Sequence, residues 1–476
     1  TPGGVPINNR LQNGEFSAPM NADGSITVPG TIKSTGTMTL TGYGVEYTSY
    51  VAVWDDAEDN DDLTGRAVAY DSQGNSYVLM HYQYPGAGLW KLDPAGNKIW
   101  GKYSEGYDSL GFGLAVDHHD NPVIVNALYI EGVGVGVTKF NGVNGSIAWS
   151  TAFTDWRYYE STAPAVACDA EGNVFVAGFT YNPEIDLSEF LVVKLSGKDG
   201  SVAWSKGYNV NEDDNLGFCI VVDNAGDVVV GGNKIYDNFN VITFFKLKSA
   251  DGSLVWSKDS FDPAIFGMDS SYGIIIGGAS VDSANNIYFN ATWALGGPDA
   301  VPITVKLNQD GVFQWGRSTG TDSFTPIGMS VATDKQDNTY SLCLYYLPAG
   351  DYNPNYYDNW DPNYSGDRFI YSVIKYDTNG KTLWQRFLTD RQYQMAYPFG
   401  DVSMYAVAGV TLIAVNDDYL LIGGSRYITD SYSTNQEWYS GVFALQMPKD
   451  GLTFSHDGWT FKDSSLQIVG LTTPTF

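Results

Sequence analysis

The sequence predicts an all-β fold, a ring of seven four-stranded antiparallel units, and three observations support this prediction. A hairpin with the pattern Lys…Gly…Trp recurs six times and returns once in a weakened form. Upstream of each hairpin, an apolar run ends at Asp or once at Asn, turns, and continues as a second apolar run. The 53 glycines, 33 tyrosines and 13 tryptophans suit turns and strands, and we find no long segment with the 3.6-residue apolar period of a helix.

The repeated hairpin supplies the last two strands of each unit. Its clearest copies run from Lys194 to Trp204 and from Lys246 to Trp256. Turn pairs such as Asp251-Gly252 supply the positive φ that a tight hairpin requires. The remaining clear copies lie at Lys91–Trp100, Lys139–Trp149, Lys306–Trp315 and Lys375–Trp384.

The repeated Trp and Lys side chains are interpreted as scaffold. Because radial repeats reuse the same packing residue in every unit, we expect the Trp side chains to pack between neighbouring units. We expect the Lys side chains to lay their stems along the outer strand and to keep their ammonium groups in water. Neither set is predicted to be catalytic.

The second pattern supplies the first two strands of each unit. In the last, shortened unit Asn416 takes the place of Asp, and the segment from Tyr47 to Trp54 is a candidate for the strand that closes this unit. Closure by a strand from the other end of the chain would protect exposed sheet edges. The aspartates of the other units are Asp71, Asp117, Asp169, Asp223, Asp282 and Asp334.

Together the two patterns resemble the seven-bladed β-propeller repeat proteins and, more distantly, the pyrroloquinoline quinone propellers. The similarity spans Arg66 to Phe461. It implies a seven-bladed β-propeller of four-stranded antiparallel blades at residues 46–461, between short β flanks at 1–45 and 462–476. Blade consensus residues serve packing and turns, so the resemblance does not carry a function.

A quinone-dependent activity would require further residues. Such enzymes use a stacked cofactor, a metal held by acidic or amide groups and a catalytic Asp in the central pocket. No local pattern singles out such a site, and the chain has no Gly-x-Ser-x-Gly elbow, glycine-rich phosphate loop or His-Glu-x-x-His motif. Paired carboxylates for glycoside cleavage stay open, because 54 acidic residues permit many pairs. We predict no catalytic residue and a protein that is not an enzyme.

Charge and hydropathy exclude two classes of partner. The formal charge of −28 disfavours nucleic acid and anionic membranes, which require a concentrated basic surface. No apolar segment approaches the roughly 18 residues needed to cross a bilayer, so membrane insertion is not expected.

Cysteine and histidine do not form a metal-binding pattern. Cys168, Cys219 and Cys343 lie in or beside apolar strand patterns, and we interpret them as buried structural thiols. His118 and His119 occupy a turn that has ordinary polar residues in other units, and the remaining two histidines are isolated. The spacing of these residues therefore does not predict zinc.

The two termini share a short pattern outside the blades. Residues 23–30 and 463–470 each have an acidic start, alternating apolar positions and a final Gly. These flanks resemble repeats in tail and fibre proteins of tailed bacteriophages, which implies assembly with other virion or fibre subunits and an oligomer located on a virion or outside the cell. Two edge strands that cap the propeller are the alternative.

Residues 55–62 form an acidic segment between the N-terminal flank and the first blade. We interpret the segment as a solvated loop. Calcium is the alternative ligand, since hard carboxylate oxygens suit it, although the EF-hand spacing is missing. No other cofactor is predicted, and the calcium candidates are Asp55, Asp56, Asp59 and Asp61.

The direction of the strands separates the connections into two groups. In antiparallel four-stranded blades, the tight turns emerge on one face of the ring, while the second-to-third and inter-blade connections emerge on the other. Long insertions rich in Tyr, Trp and Asp collect on this second face, where they can stack on sugars or anchor a protein, or instead pack the loops onto the ring or fill a subunit contact. The ligand-binding candidates are Trp156, Tyr158, Tyr159, Tyr352, Tyr356, Tyr357, Trp360, Tyr364, Tyr432 and Trp438.

The sequence therefore predicts a non-enzymatic structural or host-recognition protein of a tailed phage. The face with the long insertions would bind a cell-surface glycan or protein receptor. A secreted carbohydrate-active or quinone-dependent propeller enzyme is the alternative.

Overall fold

The structure of the chain is a computed structural model in which the strands and their tight turns are described. Every element found among these residues is a β-strand, and no helix occurs in them. The described residues are 31–42, 45–55, 63–82, 86–103, 109–128, 134–153, 164–182, 187–209, 214–236, 239–261, 274–293, 300–320, 325–347, 368–390, 395–396, 411–429, 438–456, 459–463 and 467–471.

The first two strands precede the blades. The next sixteen strands build four blades, and within each blade every strand pairs antiparallel with the next. The chain opens with β1 (Thr31–Gly42) and β2 (Val45–Asp55). Blade 1 contains β3 (Leu63–Tyr70), β4 (Ser76–Tyr82), β5 (Ala87–Leu92) and β6 (Lys98–Tyr103). Blade 2 contains β7 (Ser109–Val116), β8 (Pro122–Leu128), β9 (Gly134–Phe140) and β10 (Ile147–Phe153). Blade 3 contains β11 (Ala165–Cys168), β12 (Val174–Asn182), β13 (Leu187–Leu195) and β14 (Val202–Tyr208). Blade 4 contains β15 (Asp214–Val222), β16 (Val228–Tyr236), β17 (Phe239–Leu247) and β18 (Leu254–Phe261).

The remaining strands build blades 5 to 7 and the C-terminal edge. Blade 5 contains β19 (Ile274–Val281), β20 (Ile287–Trp293), β21 (Val301–Leu307) and β22 (Phe313–Gly320). Blade 6 contains β23 (Thr325–Thr333), β24 (Thr339–Leu347), β25 (Arg368–Tyr376) and β26 (Thr382–Asp390). The short β27 (Met395–Ala396) bridges β25 to blade 7. Blade 7 contains β28 (Ile413–Val415), β29 (Tyr419–Thr429) and β30 (Trp438–Pro448), and β31 (Phe454–His456), β32 (Trp459–Asp463) and β33 (Gln467–Leu471) follow.

The blades pack face to face through apolar side chains that alternate along each strand. In β16, Val228 and Val230 belong to the core between blades 3 and 4, while Val229 belongs to the core between blades 4 and 5. Each fully buried aliphatic side chain of this kind stabilises the fold by about 1.5–3 kcal/mol. The seven-bladed β-propeller predicted by the repeats is confirmed.

The N-terminal strand β2 completes blade 7. Residues 50–54 of β2 pair antiparallel with residues 442–446 of β30. The candidate segment from Tyr47 to Trp54 therefore closes the last blade. Because Tyr50, Ala52 and Trp54 pack into the core between blades 7 and 1, closure of the ring depends on apolar burial as well as on backbone hydrogen bonds.

The terminal flanks add outer strands to three blades. β1 pairs with β2 outside blade 7, β32 pairs with β26 of blade 6, and β33 pairs with β22 of blade 5. Arg386 Nη1 of β26 also lies 2.5 Å from a carboxylate oxygen of Asp463 in β32. The described parts of both flanks thus act as edge strands of this propeller, which was the alternative to an assembly element. An oligomer stays a prediction.

Candidate functional site

The two faces of the ring differ in the length of their connections. The short-turn face carries the first-to-second and third-to-fourth turns of the blades, which begin at residues such as Asp71 and Asp93 in blade 1. The long-loop face carries the second-to-third and inter-blade connections. Its longest connections are residues 154–164, 262–273, 348–367, 391–412 and 430–437.

On the short-turn face, each repeated Asp organises its own turn and binds the repeated Lys. Asp71 Oδ1 accepts hydrogen bonds from the amides of Gln73 at 3.0 Å and Asn75 at 2.8 Å. Lys91 Nζ lies 2.9 Å from Asp71 Oδ2 and donates at 2.8 Å to the Gly142 carbonyl of blade 2. The same ion pair joins Lys139 to Asp117, Lys194 to Asp169, Lys246 to Asp223, Lys306 to Asp282 and Lys375 to Asp334.

The prediction that these ammonium groups stay in water is wrong. The six Lys side chains are at most 13% exposed, and their Asp partners are at most 1% exposed. The Lys strand lies beside the first-to-second turn of the same blade, so the ammonium group is drawn to a buried carboxylate. A buried charge of this kind must be paired, so these six lysines are structural.

The repeated Trp packs on the glycine turn of the next blade. Trp100 Nε1 donates to the Gly142 carbonyl at 3.1 Å, the same acceptor that Lys91 uses. Gly145 has a φ of +69°, and a Cβ on it would lie 2.8 Å from the Trp100 ring. Gly is therefore required both by backbone conformation and by the ring. The prediction that Trp packs between blades is confirmed, and the pairs are Trp100–Gly145, Trp149–Gly200, Trp204–Gly252, Trp256–Gly311, Trp315–Gly380 and Trp384–Gly451.

Blade 7 makes the corresponding contacts with uncharged residues. Gln446 replaces Lys and donates through Nε2 to the Pro94 carbonyl of blade 1 at 2.9 Å. Tyr50 stands opposite Gln446 in β2 and packs on Gly96, where a Cβ would lie 2.5 Å from its ring. Asn416 replaces the turn Asp and accepts the Tyr419 amide at 2.7 Å. The joint that closes the ring thus keeps the geometry of the repeat without its ion pair.

Neighbouring turns on the short-turn face are also bound to one another. Asp120 of blade 2 accepts hydrogen bonds from the amide and the hydroxyl of Ser72 in blade 1, both at 2.8 Å. Asp337 of blade 6 accepts the same two bonds from Ser283 of blade 5, again at 2.8 Å. Polar groups of this face are thus used within the protein.

The predicted ligand-binding residues belong to connections of the long-loop face. Trp438 is the first residue of β30 and stands opposite Thr429, which places its backbone at the start of a strand on this face. The structure therefore does not test the ligand prediction. The candidates that lie outside the described residues are Trp156, Tyr158, Tyr159, Tyr352, Tyr356, Tyr357, Trp360, Tyr364 and Tyr432.

Of the four predicted calcium candidates, one lies within the described residues. Asp55 ends β2 opposite Thr31, and Asp56, Asp59 and Asp61 are outside the described residues. Among the residues that are described, no group of three or more His, Cys, Asp or Glu could hold a metal ion. The repeated aspartates, moreover, are bound to lysines and turn amides. The described residues therefore do not supply the ligand set of a quinone and metal centre, and calcium stays a prediction.

The cysteines have the properties of structural thiols. Burial raises the pKa of Cys168 and Cys219 to about 12 and that of Cys343 to about 11. Cys219 and Cys343 are buried as predicted, Cys168 is partly buried, and all three are free. Because the thiolate is the reactive form, these groups are unreactive at neutral pH.

Three polar side chains that the sequence did not predict as a group face the interface between blades 1 and 2. Thr64 and His81 stand opposite each other on β3 and β4, and Asn126 lies on β8. Thr64 is 4% exposed and Asn126 is fully buried. Within the described part of the chain, Thr64 Oγ1, His81 Nδ1 and both amide atoms of Asn126 have no hydrogen-bond partner.

A cation lies in the same strand as Thr64. Arg66 is the extra residue of a bulge in β3, is 2% exposed, and has its guanidinium carbon 5.9 Å from the centre of the Phe112 ring in β7. Burial, together with the nearby Arg66 charge, lowers the pKa of His81 to about 3, so His81 is neutral at physiological pH. We call Thr64, Arg66, His81 and Asn126 the blade 1–2 niche.

Comparison with known proteins does not identify a family for this chain. No protein-family model matches the chain, and no curated protein matches it. A quinohemoprotein alcohol dehydrogenase from Pseudomonas putida HK5 has a similar structure at 13% identity and a TM-score of 0.41, over 87% of this chain and 73% of that one. The polysaccharide lyase Uly1 is 8% identical with a TM-score of 0.45, over 81% and 90%. An ulvan lyase bound to -[GlcA(1-4)Rha3S]- is 8% identical with a TM-score of 0.41, over 76% and 91%.

These comparisons correct one prediction. The prediction that the chain is not an enzyme is wrong on this finding, because the named proteins are a dehydrogenase and lyases. At this low similarity the comparison assigns no activity to the chain. The named structures do not include a phage tail or fibre protein, so the phage resemblance of the flanks is not supported. Among the described residues, no helix is long and apolar enough to cross a membrane.

Proposed function

We propose that the chain is a carbohydrate-active propeller that binds a polysaccharide on its long-loop face. The observation that carries this proposal is the difference between the two faces. Turn carboxylates on the short-turn face bind lysines, turn amides and neighbouring turns. The long connections between strand ends of the other face, by contrast, are rich in Tyr, Trp and Asp.

The composition of these connections suits sugars. The connection at residues 348–367 alone contains Tyr352, Tyr356, Tyr357, Trp360 and Tyr364 together with four aspartates. Aromatic rings stack on the apolar faces of sugar rings, and carboxylates accept hydrogen bonds from sugar hydroxyls. Tyrosines in the described strands have a different role, since Tyr345 and Tyr371 are almost fully buried in the core.

The proposal includes a position outside the cell or on a virion, where polysaccharides are accessible. It assigns no catalytic residue, because the described residues do not bring together an acid and a base on this face. Whether the polysaccharide is also cleaved is therefore a question for an activity assay. Because the net charge is −28, most of the surface should repel a highly charged polyanion. Neutral sugars are therefore favoured as ligands.

Binding and cleavage can be tested on one panel of purified polysaccharides. We expect the intact chain to be retarded in gels that contain its ligand, and the double variant Tyr356→Ala/Trp360→Ala to lose at least about tenfold in affinity, as expected when stacked aromatic anchors are removed. Lys198→Ala, an exposed turn residue on the short-turn face, is the matched control and should bind normally. Chromatography of the same mixtures reports cleavage. Absence of binding and of cleavage across the panel would contradict the proposal.

A further inference from the structure

We propose that β14, the outer strand of blade 3, binds an extended peptide segment of another protein in which an acidic residue precedes an apolar one. The segment would add a fifth antiparallel strand to the blade. This surface goes beyond the polysaccharide face, since it lies on the outer rim of the ring and uses other residues.

The outer edges of the blades fall into two groups. β22 of blade 5 pairs with β33, β26 of blade 6 pairs with β32, and β2 of blade 7 pairs with β1. Among the described residues, β6, β10, β14 and β18 of blades 1 to 4 pair with the preceding strand of their own blade and with no further strand. We call these four strands the open edges. Their outward backbone N–H and C=O groups can pair with an added strand, which is how several domains bind extended peptides.

The open edge of blade 3 has the same register as two covered edges. In blades 3, 5 and 6 the repeated Trp stands opposite the repeated Lys, and the residues after Trp continue the pairing without a bulge. Lys206 therefore takes the position of Arg317, whose outer partner is Gly470. Arg386 has this position in blade 6, and its outer partner is Asp463. An incoming strand can thus pair with β14 as β33 pairs with β22.

β14 is the most exposed of the open edges. Its residues Ser205, Lys206 and Gly207 are all exposed. Where the equivalent residues of β6, β10 and β18 are described, they are buried or half-buried, except for Asp259. Blade 3 is therefore the blade on which an added strand would cover most of the outer edge.

We expect an apolar side chain opposite Ser205. The equivalent residue in the strand that covers blade 5 is Leu471, which packs against the apolar core between blades 4 and 5. Ile303 of this core is 1% exposed, whereas its counterpart in blade 3, Leu191, is half-buried. An apolar partner residue would shield the margin of the core between blades 2 and 3, where the partly buried side chains include Leu191 and Phe153.

We expect an acidic residue opposite Lys206. In blade 6, Arg386 Nη1 lies 2.5 Å from a carboxylate oxygen of Asp463 in the covering strand. Lys206 is the only charged residue of β14. Hydrogen bonds from Ser253 and the charge of Lys206 lower the pKa of Asp251 in the adjacent turn of blade 4, so this ammonium group already acts on a carboxylate beside the edge. Opposite charges directly across two strands stabilise their pairing.

The neighbouring position should not carry an acid. Glu189 lies over Gly207, since a Cβ on Gly207 would collide with its carboxylate. An acidic residue opposite Gly207 would therefore meet a like charge. A second copy of the chain is also disfavoured as the occupant, because each copy has a net charge of −28.

Fluorescence anisotropy of the intact chain with labelled peptides tests this proposal. The probe is Gln-Ile-Val-Asp-Leu with two serines at each end, which is the sequence of β33 with Asp in place of its Gly. We expect saturable binding of this probe. A peptide with Pro in place of Ile and Val should bind at least about tenfold more weakly, because one of these two adjacent N–H groups must point toward β14. Gln-Ile-Asp-Val-Leu, with the acid moved by one position, should also bind more weakly.

A charge exchange tests the role of Lys206. Lys206→Glu should weaken binding of the Asp probe by at least about fivefold and strengthen binding of a probe with Lys in place of Asp. Circular dichroism checks that the variant is folded. Lys198→Ala, in an exposed turn of the same blade, should bind the Asp probe normally.

Four results would overturn the proposal. They are absence of binding by the Asp probe, equal binding by the Pro peptide, unchanged binding by Lys206→Glu, and sedimentation that shows a dimer of the intact chain abolished by Lys206→Glu. The last result would make a second copy the occupant. The Tyr356→Ala/Trp360→Ala variant should keep its affinity for the Asp probe, so failure of the polysaccharide face and failure of the β14 edge give different results.

Discussion

Polar side chains on the short-turn face and at the long-loop end of the ring differ in whether they have hydrogen-bond partners. On the short-turn face, Asp71 is bound to two turn amides and to Lys91, and Lys91 is bound to blade 2. At the long-loop end, Thr64 and Asn126 are buried at a blade interface with no hydrogen-bond partner among the described residues. The difference indicates that the polar groups of the first region maintain the ring, whereas those two side chains of the second region do not contribute hydrogen bonds to it.

Removal of a buried ion pair should give the largest loss in the free energy of unfolding. Lys91→Met removes the ammonium group from Asp71 while keeping an apolar stem, and it should lower the free energy of unfolding by about 3–5 kcal/mol because a buried carboxylate loses its cation. The double variant Lys91→Met/Asp71→Asn should recover part of this loss. Denaturant unfolding measures both.

A matched surface pair serves as the control for this experiment. Lys335 and Asp417 are 2.8 Å apart on the same face, but their side chains are 76% and 60% exposed. Lys335→Ala should change the free energy of unfolding by at most about 1 kcal/mol. Equal losses for the buried and the exposed pair would show that burial is not what makes the repeat stabilising.

The glycine turns give the next largest effect. Gly200→Ala places a Cβ 2.5 Å from the Trp149 ring at a φ of +70°, and we expect a loss of about 2–4 kcal/mol from overpacking together with backbone strain. Gly226→Ala has a φ of +81° but no atom within 4 Å of its Cβ, so only the backbone strain of about 1 kcal/mol should remain. Similar unfolding midpoints for the two variants would argue against packing of Trp between blades.

Acid should weaken the short-turn face selectively. Burial alone would raise the pKa of Asp334, but hydrogen bonds from Asn338 and Tyr340, with the Lys375 charge, hold it below its ordinary 3.8. A carboxyl group whose pKa is lowered by folding stabilises the fold above its unfolded pKa, and this contribution is lost as the pH falls through the folded pKa. Stability should thus decline below about pH 4, and Asp334→Asn should make that decline shallower. Urea unfolding at several pH values tests this, with Asp417→Asn as the exposed control; identical slopes would contradict it.

Local repetition made most of the scaffold predictable. Six spaced Trp residues indicate packing between blades, and the short last unit makes the Tyr47–Trp54 segment a candidate for its closing strand. The Lys prediction failed because spacing along the chain does not show that the Lys strand lies beside the Asp turn of its own blade. Burial of Lys91 follows from that neighbour and not from the residue type.

The candidate sites were less predictable for a physical reason. The niche depends on a bulge in β3 and on the way that two blades pack, neither of which leaves a periodic pattern. One signal was present, since Arg66 occupies a bulge position where blades 2 and 6 have Phe112 and Met329. A cation in an otherwise apolar inner strand marks a position that departs from the repeat.

Hydrogen–deuterium exchange with and without a bound polysaccharide tests the division of the ring into a structural face and a binding face. We expect the ligand to slow exchange in the connections at residues 348–367 and 430–437 and to leave the turns at Asp71, Asp223 and Asp334 unchanged. Ligand-dependent protection of those Asp turns, with no change in the long connections, would contradict it.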